Sequence, residues 1–242
     1  MDDKIQGIVI QSIRYGDTSL IVKVLTRNFG LKSYMVKGAF NRNSKNRVAL
    51  FQNLNIINFV EIGKPNNKQS LGYLKDVQLA YVYHSLPVVM KKSAILLYVN
   101  ELISKTISEQ EQNEALYDFI VRSLQWLDLV EKSYANFPLY FTLELTRHLG
   151  FYPKANHQPS YYFDMMEGLF AHDYPLHPYY FDAEASTVLS RLLDAPIDET
   201  CHLPLRVNQR REMLDGLIVF MRLHAPVMKD FHSHEVLKTI LE

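Results

Sequence analysis

The sequence predicts an α+β protein, with a small β-barrel or sandwich over residues 1–80 and an α-helical domain over residues 81–242. Three observations carry this. Short segments rich in Ile, Val and Tyr, punctuated by turn residues, fill the first third of the chain, as in small all-β domains. Beyond Ser85 the apolar residues recur at helical spacing. The charge also changes sign near this boundary. Residues 1–80 hold twelve Lys and Arg against five Asp and Glu, a net of +7, so the remainder carries −7 and the total is zero. A chain of 242 residues that is 48% hydrophobic can bury a substantial core.

The predicted strands are IQGIVIQSI from Ile5, TSLIVKVL from Thr18, KSYMVKG from Lys32, LNIINFVEI from Leu54 and LKDVQLAYV from Leu74. Turn signals separate them: YGDT, NFG, the basic stretch VKGAFNRNSKNR (Val36–Arg47) and GKPNNKQ. Pro65 and Asn66-Asn67 supply turn chemistry in the last of these. Ser85 is placed to cap a helix with Pro87 in its first turn, leading into Met90–Ile107. That segment is apolar on more than one side, which predicts a buried helix. Helices follow over Asn113–Val130 and Tyr134–Leu149, the latter ended by Gly150 and Pro153. Residues 151–182 read as irregular and aromatic-rich, and two more helices are predicted at about 206–224 and 233–241.

Several function classes lack a motif. There is no HExxH, GxSxG or paired DxD, and no glycine-rich phosphate cradle. Asp164, Glu167 and Asp173 lie near His157, His172 and His177, and a metal-dependent hydrolase could use such groups. The five-residue gap from His172 to His177 is not helical ligand spacing, so half-buried loop histidines are the simpler reading. Cys201 is the single cysteine, which rules out an internal disulfide and suits a reducing compartment. It reads as a small packing residue, and Trp126, among leucines, as core. No run approaches the ~18 apolar residues of a membrane span, and no signal peptide pattern opens the chain. A soluble, cytoplasmic protein without a metal or other cofactor is expected.

The basic front is the informative feature. Cations at this density repel one another with no structural gain. A small barrel has a use for them in tracking a nucleic-acid backbone while bases stack on aromatics. Lys37, Arg42, Lys45 and Arg47 are the expected phosphate contacts, with Arg14, Lys23 and Arg27 as secondary ones. Tyr15, Phe29, Tyr34, Phe40 and Phe51 are the nearby aromatics, at least half of them expected in the core. A second cluster, Arg206, Arg210 and Arg211, could dock an acidic peptide or a phosphate, or could pair with Glu212 and Asp215 in solvent.

The ordered landmarks resemble those of the RecO recombination mediators. They are GIVI (Gly7–Ile10), YGDTSLIVKVLT (Tyr15–Thr26), Gly30, KGA (Lys37–Ala39), SKNR (Ser44–Arg47), LFQ (Leu50–Gln52), LELTRHLGFYP (Leu143–Pro153) and HSHEVLKTIL (His232–Leu241). The resemblance spans almost the whole chain. It implies an N-terminal OB-fold followed by an α-helical domain, and a non-enzymatic role in RecF-pathway repair. The implied activities are binding of single- and double-stranded DNA, annealing of complementary strands, and assistance to RecA loading on DNA coated by single-stranded DNA-binding protein (SSB). The implied partners are RecR, the acidic C-terminal tail of SSB and, indirectly, RecA, with association to the bacterial nucleoid. An RNA-binding OB-fold accessory protein and a protein-only adaptor are the alternatives.

Many members of that family carry a four-cysteine zinc site after the LGF-x-P corner. Here the corresponding stretch, SYYFDMMEGLFAHDYPLHPYYF, has no cysteine, and Cys201 alone cannot build a tetrahedral thiolate site. Packing of Tyr161, Tyr162, Phe163, Phe170, Tyr179, Tyr180 and Phe181 is expected to replace the metal.

Overall fold

The computed structural model describes residues 4–41, 47–63, 71–107, 112–154, 161–225, 227–228 and 230–241. The chain forms two compact units, residues 1–84 with 107–125 and residues 85–106 with 126–242.

Five strands build the first unit: β1 (Ile5–Tyr15), β2 (Ser19–Thr26), β3 (Gly30–Val36), β4 (Ile56–Ile62) and β5 (Gly72–Leu79), with the short α1 (Arg47–Leu50) between β3 and β4. They close into a barrel in the order β1-β2-β3-β5-β4, with β4 returning to β1 and β3 meeting β5 in parallel. This is an OB-like five-stranded barrel. Alternation places Val22, Val24, Tyr34, Val36 and Phe59 inside, around Val9, Phe51 and Ile57. Gly7 lets β1 and β2 approach closely, since a Cβ there would lie 2.4 Å from Val24 Cγ1. Thr26 fastens the tight β2–β3 turn, its hydroxyl donating to Gly30 O at 2.9 Å and accepting from Phe29 N at 3.1 Å. The predicted fifth strand runs shorter than its apolar pattern. It starts two residues earlier, at Gly72, and ends three earlier, at Leu79, with a bulge inside it where Asp76 has φ +53° and the β4–β5 register shifts between Asn58 and Val60.

The helices are α2 (Met90–Thr106), α3 (Glu114–Leu129), α4 (Phe137–Leu149), α5 (Ala183–Leu192), α6 (Ile197–His202), α7 (Val207–His224) and α8 (Ser233–Ile240). Helices α2, α4, α7 and α8 form the framework of the second unit, and Tyr98 joins two of them through a buried 2.5 Å contact with the Thr142 hydroxyl. Gly150 ends α4 in the left-handed conformation at φ +88°, with its N–H directed at Arg147 O and Thr146 O. Helices α5 and α6 are additions to the sequence reading. Asp182 caps α5 by accepting from Ala185 N at 3.0 Å, a start signal legible in the sequence.

The segment read as irregular holds a three-stranded sheet in the order β7-β6-β8, from β6 (Tyr162–Asp164), β7 (Leu169–Ala171) and β8 (Tyr180–Phe181). Strands this short fall below any periodicity window. Phe163 is the centre of packing, with Phe170, Phe220 and Phe181 at ring distances of 5.1, 5.8 and 6.3 Å. The aromatic core is therefore Phe-based and recruits Phe220 from α7, whereas Tyr161 and Tyr179 are exposed.

Ser85 does not cap α2. Its hydroxyl donates to Asp128 O, and Asp128 Oδ1 accepts from the backbone N–H groups of Ser85 and Leu86 at 2.8 and 3.0 Å. Lys92, only 2% exposed, completes this knot. Its ammonium donates to Ser85 Oγ at 2.6 Å, Asp128 O at 3.0 Å and Val130 O at 2.6 Å. Burial lowers its pKa, partly offset by Asp128 and Glu131. The lysine thus satisfies carbonyls at the C-terminal end of α3, where a cation also meets the negative end of the helix dipole. Replacing it with methionine keeps the volume but orphans those acceptors. Lys92→Met should cost about 3 kcal/mol in urea denaturation, and an unchanged midpoint would refute the capping role.

Candidate nucleic-acid interface

The β1–β2 turn, the segment after β3 and the start of β5 meet at one end of the barrel. Tyr15 pairs with Ser19, Leu20 with Val36, and Met35 with Tyr73. Phe40 N–H donates to Thr18 O at 3.2 Å and Asn41 N–H to Gly38 O at 3.2 Å, fastening the chain that leaves β3. Gly38 makes this turn at φ +67°.

Two predicted cations stand here, each over an aromatic ring. The Arg14 guanidinium lies 4.9 Å from the Phe40 centroid and donates to Gly16 O at 3.3 Å and Asp17 O at 3.2 Å. The Lys37 ammonium lies 4.6 Å from the Tyr73 centroid. Each pair presents a positive charge beside a π-face, the two elements needed to hold a phosphate and stack a base. Tyr73 was not singled out by the sequence. Only the parallel β3–β5 pairing brings it beside Lys37.

The other candidates separate. Lys23 sits in mid-β2, half-buried, opposite Gln11 and Ser33. Arg27 lies at the β2–β3 turn and is committed elsewhere. It holds Asp118 with two hydrogen bonds of 2.9 and 3.0 Å and Glu114 at 3.1 Å. The hydrogen bond from Arg27 lowers the Asp118 pKa. Lys32, which sequence reasoning passed over, lies 4.4 Å over the Phe29 ring and 3.5 Å from Glu61. Arg42 and Lys45 lie outside the described residues, and Arg47 opens α1 with its side chain also outside them.

Of the five aromatics, Tyr34 and Phe51 are core, while Tyr15, Phe29 and Phe40 are 55%, 45% and 39% exposed. Fewer are buried than expected, because the apolar branched residues of β1, β2 and β4 already fill the interior.

The second arginine cluster divides. Arg206 pairs with Glu184. Arg210 is partly buried and donates to Asn136 Oδ1 at 2.9 Å, with Leu241 O and Leu205 O at 3.3 and 3.4 Å; burial lowers its pKa. Arg211 donates to Lys238 O at 2.9 Å. Arg210, Arg211 and Lys238 rim a narrow apolar slot of about 20 Å³, walled by Leu139 of α4, Leu214 of α7 and Leu237 of α8. Arg210, Val207 and Leu241 also line an open cleft of about 440 Å³ that carries Lys91 and Lys132. Among the described residues, Glu212 and Asp215 are not seen paired with Arg206 or Arg210. Arg206 takes Glu184, and Asp215 is held by Lys238 at 2.9 Å.

Of the hydrolase suspects, Asp164 and His177 have structural work. Asp164 Oδ1 accepts from Met166 N and Glu167 N at 2.8 and 3.1 Å, closing the β6–β7 turn, and its Oδ2 meets His177 Nε2 at 3.1 Å. His157 lies outside the described residues. The β6–β8 segment offers no thiolate, so the donors there do not fit the family's four-cysteine zinc site. Cys201 is buried, and burial pushes its thiol up to about 12. Trp126 is half-buried, stacked on Phe137 at 5.9 Å and donating to Asp198 at 2.9 Å. Asp215, His234 and Glu235 lie within 4.8 Å of one another, but the Lys238 ammonium, 2.9 Å from Asp215 and 3.1 Å from Glu235, already supplies the positive charge.

His234, 8% exposed, has its pKa lowered by burial, with Glu235 and Asp215 opposing and Lys238 and Arg222 reinforcing. Its neutral form stabilises the fold above the ordinary value of 6.5, and this contribution is lost as pH falls from there toward the depressed folded value. The melting temperature should therefore drop between about pH 7.5 and 5.5, and less so in His234→Gln. His148, lowered the same way, leaves a residual drop in that variant. Equal drops in both proteins would exclude His234 as a source.

Residues 1–83 match the family model described as Recombination protein O N terminal, and residues 89–230 match Recombination protein O C terminal. The chain is 37% identical over 242 residues to the DNA repair protein RecO of Flavobacterium psychrophilum, covering 99% of each chain. It is 35% identical to that of Flavobacterium johnsoniae over 242 residues, again 99% of each chain. The DNA repair protein RecO of Phocaeicola vulgatus is 31% identical over 242 residues and 99% of each chain.

Proposed function

The chain belongs to the RecO family of DNA repair proteins, and on that premise we propose that it is a recombination mediator of the RecF pathway. It binds single- and double-stranded DNA, anneals complementary strands and assists RecA loading on SSB-coated DNA. The observation that carries this reading is the end of the barrel where Arg14 and Lys37 stand over Phe40 and Tyr73. The mechanism is charge neutralisation and stacking, with no bond made or broken. Two strands on one basic surface lose their mutual repulsion, and each contacted phosphate releases counterions. Lys37, Arg42, Lys45 and Arg47 are the principal contacts, Arg14 joins them, Lys23 contributes less, and Arg27, held by Asp118 and Glu114, is set aside.

The second unit meets protein partners, RecR and the acidic tail of SSB, and through them RecA. The slot between α4, α7 and α8 has the chemistry for the tail, with apolar walls for its hydrophobic end and Arg210 and Arg211 for its carboxylates, Lys238 being engaged by Asp215 and Glu235. Lys91 and Lys132 extend the positive rim into the adjoining cleft. Lys91→Glu with Lys132→Glu should weaken an SSB-tail peptide about tenfold while leaving DNA affinity unchanged; equal peptide affinity would remove the cleft from tail recognition.

The test of the whole reading is annealing of complementary strands coated with SSB, which requires DNA and SSB engagement together. Annealing of naked but not of coated strands would retain the DNA role and remove the SSB role. Preference for RNA over DNA of the same sequence would favour an RNA-binding module. Binding to SSB or RecR without any DNA binding would favour a protein adaptor.

A further inference from the structure

An open cleft of about 680 Å³ lies between the loop preceding β8 and the first turns of α5 and α7. Its walls mix aromatic rings and prolines with polar groups, His177 and two carboxylates among them. Tyr174 and Tyr180 share a 2.6 Å hydroxyl contact and pack edge to face with centroids 5.1 Å apart. Leu176, at the mouth between Pro175 and Pro178, is fully exposed. The charged residues lining the cleft are Asp182 and Glu212, and no Lys or Arg lines it among the described residues. Asp182 is half engaged in capping α5. Glu212 has no hydrogen bond or ion pair among the described residues, and Glu184, the next carboxylate, is already taken by Arg206 and Gln209. Burial, then the charges of Asp182 and Glu184, raises the Glu212 pKa.

A carboxylate without a cation, facing tyrosine rings and next to a fully exposed leucine, lacks a partner that is positive at one end and apolar at the other. We infer that this cleft docks a segment of another protein in which an arginine or lysine lies beside an apolar side chain. The cation meets Glu212 and Asp182 and lies against the Tyr174–Tyr180 pair, where ring quadrupoles add to the carboxylate field. The apolar residue covers Leu176, and that burial supplies affinity that ion pairing at an exposed site does not. The charge pattern also distinguishes this face from the slot between α4, α7 and α8, which is rimmed by cations and suits an acidic segment. One unit thus presents two docking faces of opposite sign.

The test uses the full chain and fluorescein-labelled, blocked peptides read by polarisation. The probe is Gly-Arg-Leu-Arg-Gly, compared with Gly-Glu-Leu-Glu-Gly and Gly-Arg-Ser-Arg-Gly. The arginine–leucine peptide should saturate below about 1 mM and bind at least roughly tenfold tighter than the acidic one. The serine peptide should be intermediate. Glu212→Lys should abolish the preference for the basic peptide, and Leu176→Ser should weaken the leucine peptide to the level of the serine one. Both sites are exposed, and coincident thermal melts establish that each variant folds. Single-stranded DNA affinity should be the same in all three proteins. No binding up to about 1 mM, equal binding of the acidic peptide, or unchanged binding to Glu212→Lys would each overturn the proposal. So would self-association that disappears in Glu212→Lys without peptide binding, since the occupant would then be a second copy of this chain.

Discussion

Alanine at Lys37, Arg42, Lys45 and Arg47 should lower affinity for labelled single-stranded DNA on the order of 100-fold near 0.1 M salt. The salt dependence discriminates better than the affinity. Each phosphate contact contributes about −0.7 to the slope of log K against log salt on single strands, so losing four should flatten the slope by up to about 3. A general loss of folding would lower the amount of active protein without flattening that slope. Arg27→Ala is the matched control. It removes a cation from the same barrel, but one already neutralised by Asp118 and Glu114, and its slope should barely change. Unchanged affinity and slope in the fourfold variant would remove this loop from the mechanism. Adding Tyr73→Leu to the fourfold variant should cost a further several-fold, independent of salt, because stacking on a base involves no counterion release.

Gly216→Ala should destabilise the second unit by about 2 kcal/mol, against the usual direction for such a change. Glycine inside a helix costs about 1 kcal/mol relative to alanine, so propensity alone forecasts stabilisation. Gly216 is interior to α7, and a Cβ there would lie 2.1 Å from two carbons of the Phe181 ring and 3.2 Å from Met165 Cε. Phe181 is itself buried and packs on Phe163, so turning the ring away breaks that contact. The overlap has to be relieved by displacing β8, the strand that closes the small sheet. The sign of the change decides the matter. A higher denaturation midpoint would mean that the ring moves freely and that the aromatic cluster does not hold this segment.

These two sites differ in how readily the sequence discloses them. VKGAFNRNSKNR is conspicuous because its cations are adjacent in the chain and surrounded by turn residues. Gly216 gives no signal. It sits in a good helical pattern, and the ring that requires it is 35 residues away. The same contrast runs through the fold. Strands β1 to β5 and helices α2, α3, α4, α7 and α8 were legible, because each carries enough residues for its period to show. Strands β6 to β8, of two or three residues, were not. Helices α5 and α6 were missed although Asp182 offered a cap, since their short apolar runs adjoin a stretch rich in Tyr, Phe and Pro.

Local pattern and charge were enough to read a β-rich basic front, a helical acidic back, a single cysteine in the chain against the four of the family's zinc segment, and the ordered landmarks of a family. Periodicity, turn chemistry and net charge are properties of neighbours in the chain, so they survive without a fold. The tertiary structure decided which of these residues act together. Parallel pairing of β3 with β5 put Tyr73 beside Lys37. Helix α3 took Arg27 out of the basic surface by meeting it with two carboxylates. The packing of α4, α7 and α8 turned two of three adjacent arginines toward an apolar slot and left the third with Glu184. Each outcome depends on a partner far away in the chain. Electrostatic and stacking energies follow distance in space, which a sequence does not contain until the chain has closed on itself.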